Sequence, residues 1–199
     1  MNYLAHAYLS FRHSEVLVGN MISDFVKGKK QYNYAAGIQK GIRLHRFIDH
    51  FTDTHPATGQ LKKFFSPYYR LYSGPFTDII YDYFLANDQQ VFASEAALGS
   101  FVAGTYETIE ARLDELPAAF QHIFPYMKQY NWLYNYRYRE GIQKSFAGMT
   151  KRAKFISESN TAFGIFQDNI PAMQVYYKDF FPELEKNSLE KFNELLRTD

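Results

Sequence analysis

No cysteine occurs anywhere in the 199-residue sequence. That absence excludes disulfides, Cys-ligated zinc, iron–sulfur clusters and a thiol nucleophile. An excess of one charge is also missing. The 22 Lys and Arg nearly cancel the 21 Asp and Glu, so composition calls for no nucleic-acid partner. No apolar run approaches the roughly 20 residues of a membrane span. Met1-Asn2-Tyr3-Leu4-Ala5-His6 has no basic flank ahead of an apolar stretch. Neither a membrane segment nor a signal peptide is therefore expected, and a cytoplasmic location is the default. Alternating β-branched strands, internal repeats and low-complexity linkers are absent too, which leaves one all-α domain over residues 1–199.

Aromatic side chains are abundant, with 19 Phe and 17 Tyr beside a single Trp. Tyr suits places where an apolar ring has a wet or hydrogen-bonded edge. These rings either pack the core or line a groove and the seams between helices.

Apolar spacing of three to four residues marks the helices. Residues 2–12 form a short one, with Leu4, Ala5, Tyr8 and Leu9 on its apolar face. A second runs from Val16 to Val26 and frays in Lys27-Gly28-Lys29-Lys30. A third spans Tyr34 to Phe51. Thr54 caps a short fourth helix leading to Phe65, and Ser66 to Gly74 reads as a loop or short helices. Pro75 opens the next helix. Phe92 to Leu113 is helical with interruptions at Gly99 and Gly104, and Pro117 starts another. Gly141 to Met149 is a short helix or turn pair. Lys151 to Ser159 and Ala172 to Phe181 read as helices, and Pro182 opens a terminal one.

Several of these helices pair polar residues four apart, hence on one face. The pairs are Asn2 with His6, Asn20 with Asp24, His45 with Asp49 (extended by Asp53) and Asp78 with Asp82. Packed together, such faces bring carboxylates and imidazoles to one pocket. Hard divalent ions take carboxylate oxygens, and imidazole adds affinity for manganese, iron or zinc. A bound ion polarises a phosphoryl oxygen and acidifies water, and a nearby carboxylate can orient that water. Each pair also has a structural reading. His45 can be a buried histidine with one partner, Asp53 can face solvent, and Asp78 can serve a helix start. His13, His50, His55 and His122 are less constrained still.

The segments Met1-Asn2-Tyr3-Leu4-Ala5-His6 and Gly19-Asn20-Met21-Ile22-Ser23-Asp24-Phe25-Val26-Lys27-Gly28 closely resemble the start of the bacterial acyl carrier protein phosphodiesterase family. The resemblance continues in Gly41-Ile42-Arg43-Leu44-His45-Arg46-Phe47-Ile48-Asp49 and in Asp78-Ile79-Ile80-Tyr81-Asp82-Tyr83-Phe84-Leu85. It returns weakly at Gly148-Met149-Thr150-Lys151-Arg152. That resemblance implies a compact helical bundle like the HD metal-dependent phosphohydrolases. It also implies hydrolysis of the phosphodiester between 4'-phosphopantetheine and the carrier serine of holo acyl carrier protein. The expected cofactor is a divalent ion, manganese first and magnesium or iron(II) next. Catalytic roles fall to Asp24, His6 and His45, and metal ligation to His6, Asp24, His45, Asp49, Asp78 and Asp82. An adjacent His-Asp pair in that order is absent, since His50 follows Asp49, and Tyr83 stands where a relative carries histidine.

An acidic carrier protein needs a basic docking surface. Lys27, Lys29, Lys30, Arg43 and Arg46 are the expected contacts, although the lysine run also suits a solvated helix end. Two other readings stay open: a metal phosphohydrolase acting on a nucleotide or another small phosphodiester, and a non-enzymatic helical protein holding an acyl chain or lipid. Oligomeric state is not legible.

Overall fold

The computed structural model describes residues 1–197, and it is helical throughout with no strand among them. The helices are α1 (Tyr3–Tyr8), α2 (Ser14–Ile22), α3 (Ala36–Thr54), α4 (Pro56–Tyr69), α5 (Ser73–Ala86), α6 (Glu95–Glu110), α7 (Ala118–Gln129), α8 (Trp132–Asn135), α9 (Arg139–Arg152) and α10 (Asn160–Arg197). Every one of them contributes to a shared set of buried apolar side chains. No helix among the described residues is long and apolar enough to cross a membrane.

Two glycines set the closest approach in the fold. A Cβ on Gly19 would lie 2.0 Å from the Ile38 carbonyl oxygen, and one on Gly41 would lie 2.2 Å from that of Val16. Helices α2 and α3 therefore touch backbone to backbone, a distance no other residue permits. Gly41→Ala must push the two helices apart. It should cost about 3 kcal/mol and lower Tm by roughly 6–12 °C, measured by calorimetry; an unchanged Tm would show that the crossing relaxes freely.

Helix α1 is too short to hold itself in place. Asn2 caps it by accepting from the Tyr3 N–H, and α5 supplies a second cap from across the chain. Buried Asp82 accepts from the N–H of Leu4 at 2.7 Å and from those of Asn2 and Ala5 at 3.3 Å. After α1 the chain turns through Phe11 and Arg12, both at positive φ. His13 then caps α2 by accepting from the Val16 N–H.

Several boundaries differ from the sequence expectation. Helix α2 stops at Ile22, and Asp24 sits in a 3-10 turn over Ser23–Phe25 rather than on a continuous helix. Thr54 ends α3; His55 caps α4, with Pro56 at its first position. Helix α4 runs on through Pro67 to Tyr69, followed by a 3-10 turn over Arg70–Tyr72, where a loop or short helices were expected. Gly99 and Gly104 leave α6 intact. Residues 153–159 are not helical. Tyrosines hold this segment: the Tyr72 hydroxyl accepts from the Lys154 N–H, and the Tyr69 hydroxyl donates to Glu158. The largest difference is α10, which passes through Pro171 and Pro182 without ending. A proline inside a helix costs about 3 kcal/mol. Burial of Phe166, Met173, Tyr177, Phe180, Phe181 and Leu184 along the same helix offsets that cost.

Candidate metal centre

Helices α1 and α3 each place one histidine on the floor of a small basin. The His6 and His45 rings stack at 3.9 Å between centroids with planes 14° apart. Both are buried. Asp49, one turn beyond His45 on α3, stands over both: Oδ1 lies 3.2 Å from His6 Nε2, and Oδ2 lies 3.0 Å from His45 Nε2. Asp24 reaches in from its 3-10 turn, 3.2 Å from His45 Nε2. The basin is graded, with buried imidazoles below and carboxylates at the mouth, where Asp49 is 41% and Asp24 72% exposed.

Asn20 on α2 fixes the histidine tautomers. Its amide nitrogen donates to the His6 carbonyl at 2.8 Å and to Ser10 Oγ at 3.1 Å. Its side-chain oxygen is thereby left facing His6 Nδ1 at 2.8 Å, while its main-chain oxygen faces His45 Nδ1 at 2.7 Å. Oxygens of this kind only accept, so both Nδ1 atoms carry protons. Both Nε2 lone pairs consequently point at Asp49. Lone pairs facing a carboxylate repel unless a cation lies between them, either a proton or a metal ion. His6, His45 and Asp49 each present one ligand atom, all within 4.8 Å of one another. Two oriented imidazoles, a carboxylate and a second carboxylate at the mouth form a mixed nitrogen and oxygen donor set that fits a divalent transition ion.

Electrostatics agree with this picture. Burial opposes charge on His45, but its hydrogen bonds with Asp24 and Asp49 raise its pKa to about 9. Burial and then the neighbouring His45 lower His6 to about 4. Stacked rings share one proton, and His45, facing two carboxylates, holds it. Burial would raise Asp49, yet the hydrogen bond from protonated His45 and the facing His6 ring pull it well below the carboxylate range. The His45 hydrogen bond also lowers Asp24.

A pH dependence follows for the metal-free protein. His45 lies near 6.5 when unfolded and near 9 when folded. Its contribution is complete below pH ~6.5 and lost as pH rises through ~9. The metal-free Tm should fall across that window, and His45→Gln should flatten the fall. A wild-type Tm that stays level would remove the proton from His45.

The remaining expected residues lie beside the basin. Asp78 accepts from the Met1 amine at 3.0 Å, and Asp49 lies 4.0 Å from that amine. Burial raises the Asp78 pKa against the lowering effect of the amine. Asp82 points both oxygens at the α1 amides, and burial raises it to about 7 against the amine and those amides. Asp53 pairs with Lys62 at 2.8 Å on the surface. His13 and His55 are helix caps. Tyr83 packs edge-on against Phe166. Lys27, Lys29, Lys30, Arg43 and Arg46 are exposed on the turn after Asp24 and on the helix bearing His45. Arg46 ties the two together by donating to Gln31. Ser10 and the Met1 amine escaped the sequence reading, which weighed only pairs spaced along one helix.

Comparison with known proteins gives the same direction. The family model described as acyl carrier protein phosphodiesterase matches residues 1–184. A protein of that name from Photorhabdus laumondii is 30% identical over 191 residues, covering 96% of each chain. Those from Pectobacterium atrosepticum and Yersinia pestis are each 29% identical, covering 92% and 96% of this chain and 95% and 99% of their own. No solved structure matches. With its basin inside the matched segment, the chain belongs to the acyl carrier protein phosphodiesterase family.

Proposed function

We propose that the protein hydrolyses the phosphodiester joining 4'-phosphopantetheine to the serine of holo acyl carrier protein, in the cytoplasm and with a divalent ion. Beyond family membership, the reading rests on two buried, tautomer-fixed imidazoles aimed at one carboxylate. His6, His45 and Asp49 would hold the ion, and Asp24 would face it from the mouth. Manganese suits the mixed donor set best, with iron(II) or magnesium as substitutes. Asp78 and Asp82, read from the sequence as ligands, take a supporting part in this scheme: they anchor the N-terminal segment that carries His6.

When bound, the ion supplies Lewis-acid stabilisation of phosphoryl charge and a more acidic water. Asn20 keeps both Nδ1 atoms as donors and so keeps Nε2 free to ligate. Asp24, exposed and on a turn, would orient the attacking water and accept its proton. The water oxygen bonds to phosphorus and the bond to the serine oxygen breaks. The serine oxygen recovers a proton at the open mouth, giving apo carrier protein and 4'-phosphopantetheine. Mass spectrometry of holo carrier protein incubated with enzyme and Mn²⁺ tests this. The expected result is loss of the whole prosthetic group; an unaltered holo mass with every divalent ion tried would overturn it.

The exposed cations at the mouth suit a small acidic protein. Changing Lys29 and Lys30 to Glu should raise KM for holo carrier protein about tenfold at low salt, with kcat little changed, because rim charges act mainly on encounter. Added salt should shrink the gap. Equal KM values for variant and wild type at low salt would move docking elsewhere.

A further inference from the structure

A second feature lies one helical turn from the histidine floor. Between the start of α1, the α7–α8 turn and α9 is a cavity of about 730 Å³, within the size range of small-molecule sites. Its lining includes Lys144, Lys151 and Arg152 but no carboxylate. None of these three cations has an ion-pair partner among the described residues. Side-chain amides and aromatic rings make up much of the remainder, Asn131, Asn135, Trp132 and Tyr136 among them. Tyr136 is 3% exposed and lines the cavity, and its hydroxyl makes no hydrogen bond among the described residues, so it can meet an occupant.

Tyr3 joins the cavity to the metal centre. It lines the cavity, belongs to the same turn of α1 as His6, and its phenol feels both the Asp24 carboxylate and the Arg152 guanidinium. An occupant with a phosphate near the basin and a tail in the cavity would meet cations, amides and rings.

We propose that this cavity binds the 4'-phosphopantetheine arm, with Arg152 and Lys151 at its phosphate end and Trp132 and Tyr136 along its tail. The inference rests on the function proposed above. Arm and lining share their chemistry. The arm carries two amide groups for the Asn side chains, apolar carbons for the rings and a phosphate for the cations. A carboxylate-free lining also disfavours any cationic ligand.

Trp132 is the sole tryptophan of the chain, so its emission reports on the cavity directly. Titration with 4'-phosphopantetheine should change that emission saturably, and AMP or inorganic phosphate should not. Arg152→Ala should weaken the response about tenfold or more, as loss of a charge-assisted phosphate contact does. Ala147→Phe, which fills the cavity from α9, should abolish the response and raise KM for holo carrier protein, with an unchanged circular dichroism spectrum. A wild type that cleaves holo carrier protein while Trp132 ignores 4'-phosphopantetheine overturns the cavity assignment and leaves the proposed function standing. No cleavage with any divalent ion overturns the function, and the emission change then decides the cavity alone. A saturable response to AMP but not to 4'-phosphopantetheine overturns the assignment in favour of a nucleotide.

Discussion

Asp49→Asn should lower turnover of holo carrier protein by roughly 10²–10⁴ at saturating Mn²⁺. The substitution preserves shape, so the loss reads charge alone. Among the described residues Asp49 is the one carboxylate that contacts both imidazoles, and an amide there cannot balance an ion between two Nε2 atoms. Metal affinity should fall with activity, which calorimetric titration would show. Asp24→Asn supplies the contrast. Its side chain is largely exposed and touches only His45 in the cluster, so kcat should fall by a similar factor while most metal affinity survives. Normal turnover in a folded Asp49→Asn protein would end the assignment of the basin as the reaction centre. Retained affinity in Asp49→Asn together with lost affinity in Asp24→Asn would exchange the two roles.

Asp82→Ala should be the most damaging single change to stability, at about 3–5 kcal/mol. Asp82 is fully buried and accepts three main-chain N–H groups at the start of α1. Alanine leaves those donors in an apolar interior with no water to replace the lost partner. A Tm drop of roughly 6–20 °C is expected for a chain of this size. Turnover should fall even below the new Tm, because α1 carries His6 and depends on this cap. Added Mn²⁺ should recover part of the Tm by binding the folded state. A drop under 1 kcal/mol would show that α1 is held by its apolar contacts instead.

The two substitutions also mark how far sequence reading goes. Spacings of four residues placed His6, His45 and Asp49 on helix faces, and those three converge. The same rule grouped Asp78 and Asp82 with them and missed that Asp82 faces α1 amides. A carboxylate beside a helix start and one beside a metal look alike until the partner helix is placed. Asn20 was noted for its pairing with Asp24, yet its work is to fix both histidines through its side chain and its own carbonyl. A main-chain contact of that kind leaves no trace in residue identity. Helix boundaries failed where proline dominated the reading. Pro171 and Pro182 lie within α10 because its buried face outweighs their local cost, a balance set by tertiary packing. The helical class itself was legible, since the three-to-four spacing recurs along the chain with no competing alternation.

The glycine crossing of α2 and α3 insulates the basin from the rest of the molecule. The His45 to Asn20 carbonyl distance is set where two backbones touch, so no side chain can swell or shrink to change it. Variation in the aromatic interior around Phe76, Phe146 and Phe166 can then lower melting temperature without detuning the ligand geometry. Substitutions in the core can accumulate in this chain while the imidazole pair stays in register. Room to adapt to a different partner lies among the exposed cations of the turn after Asp24 and of α3.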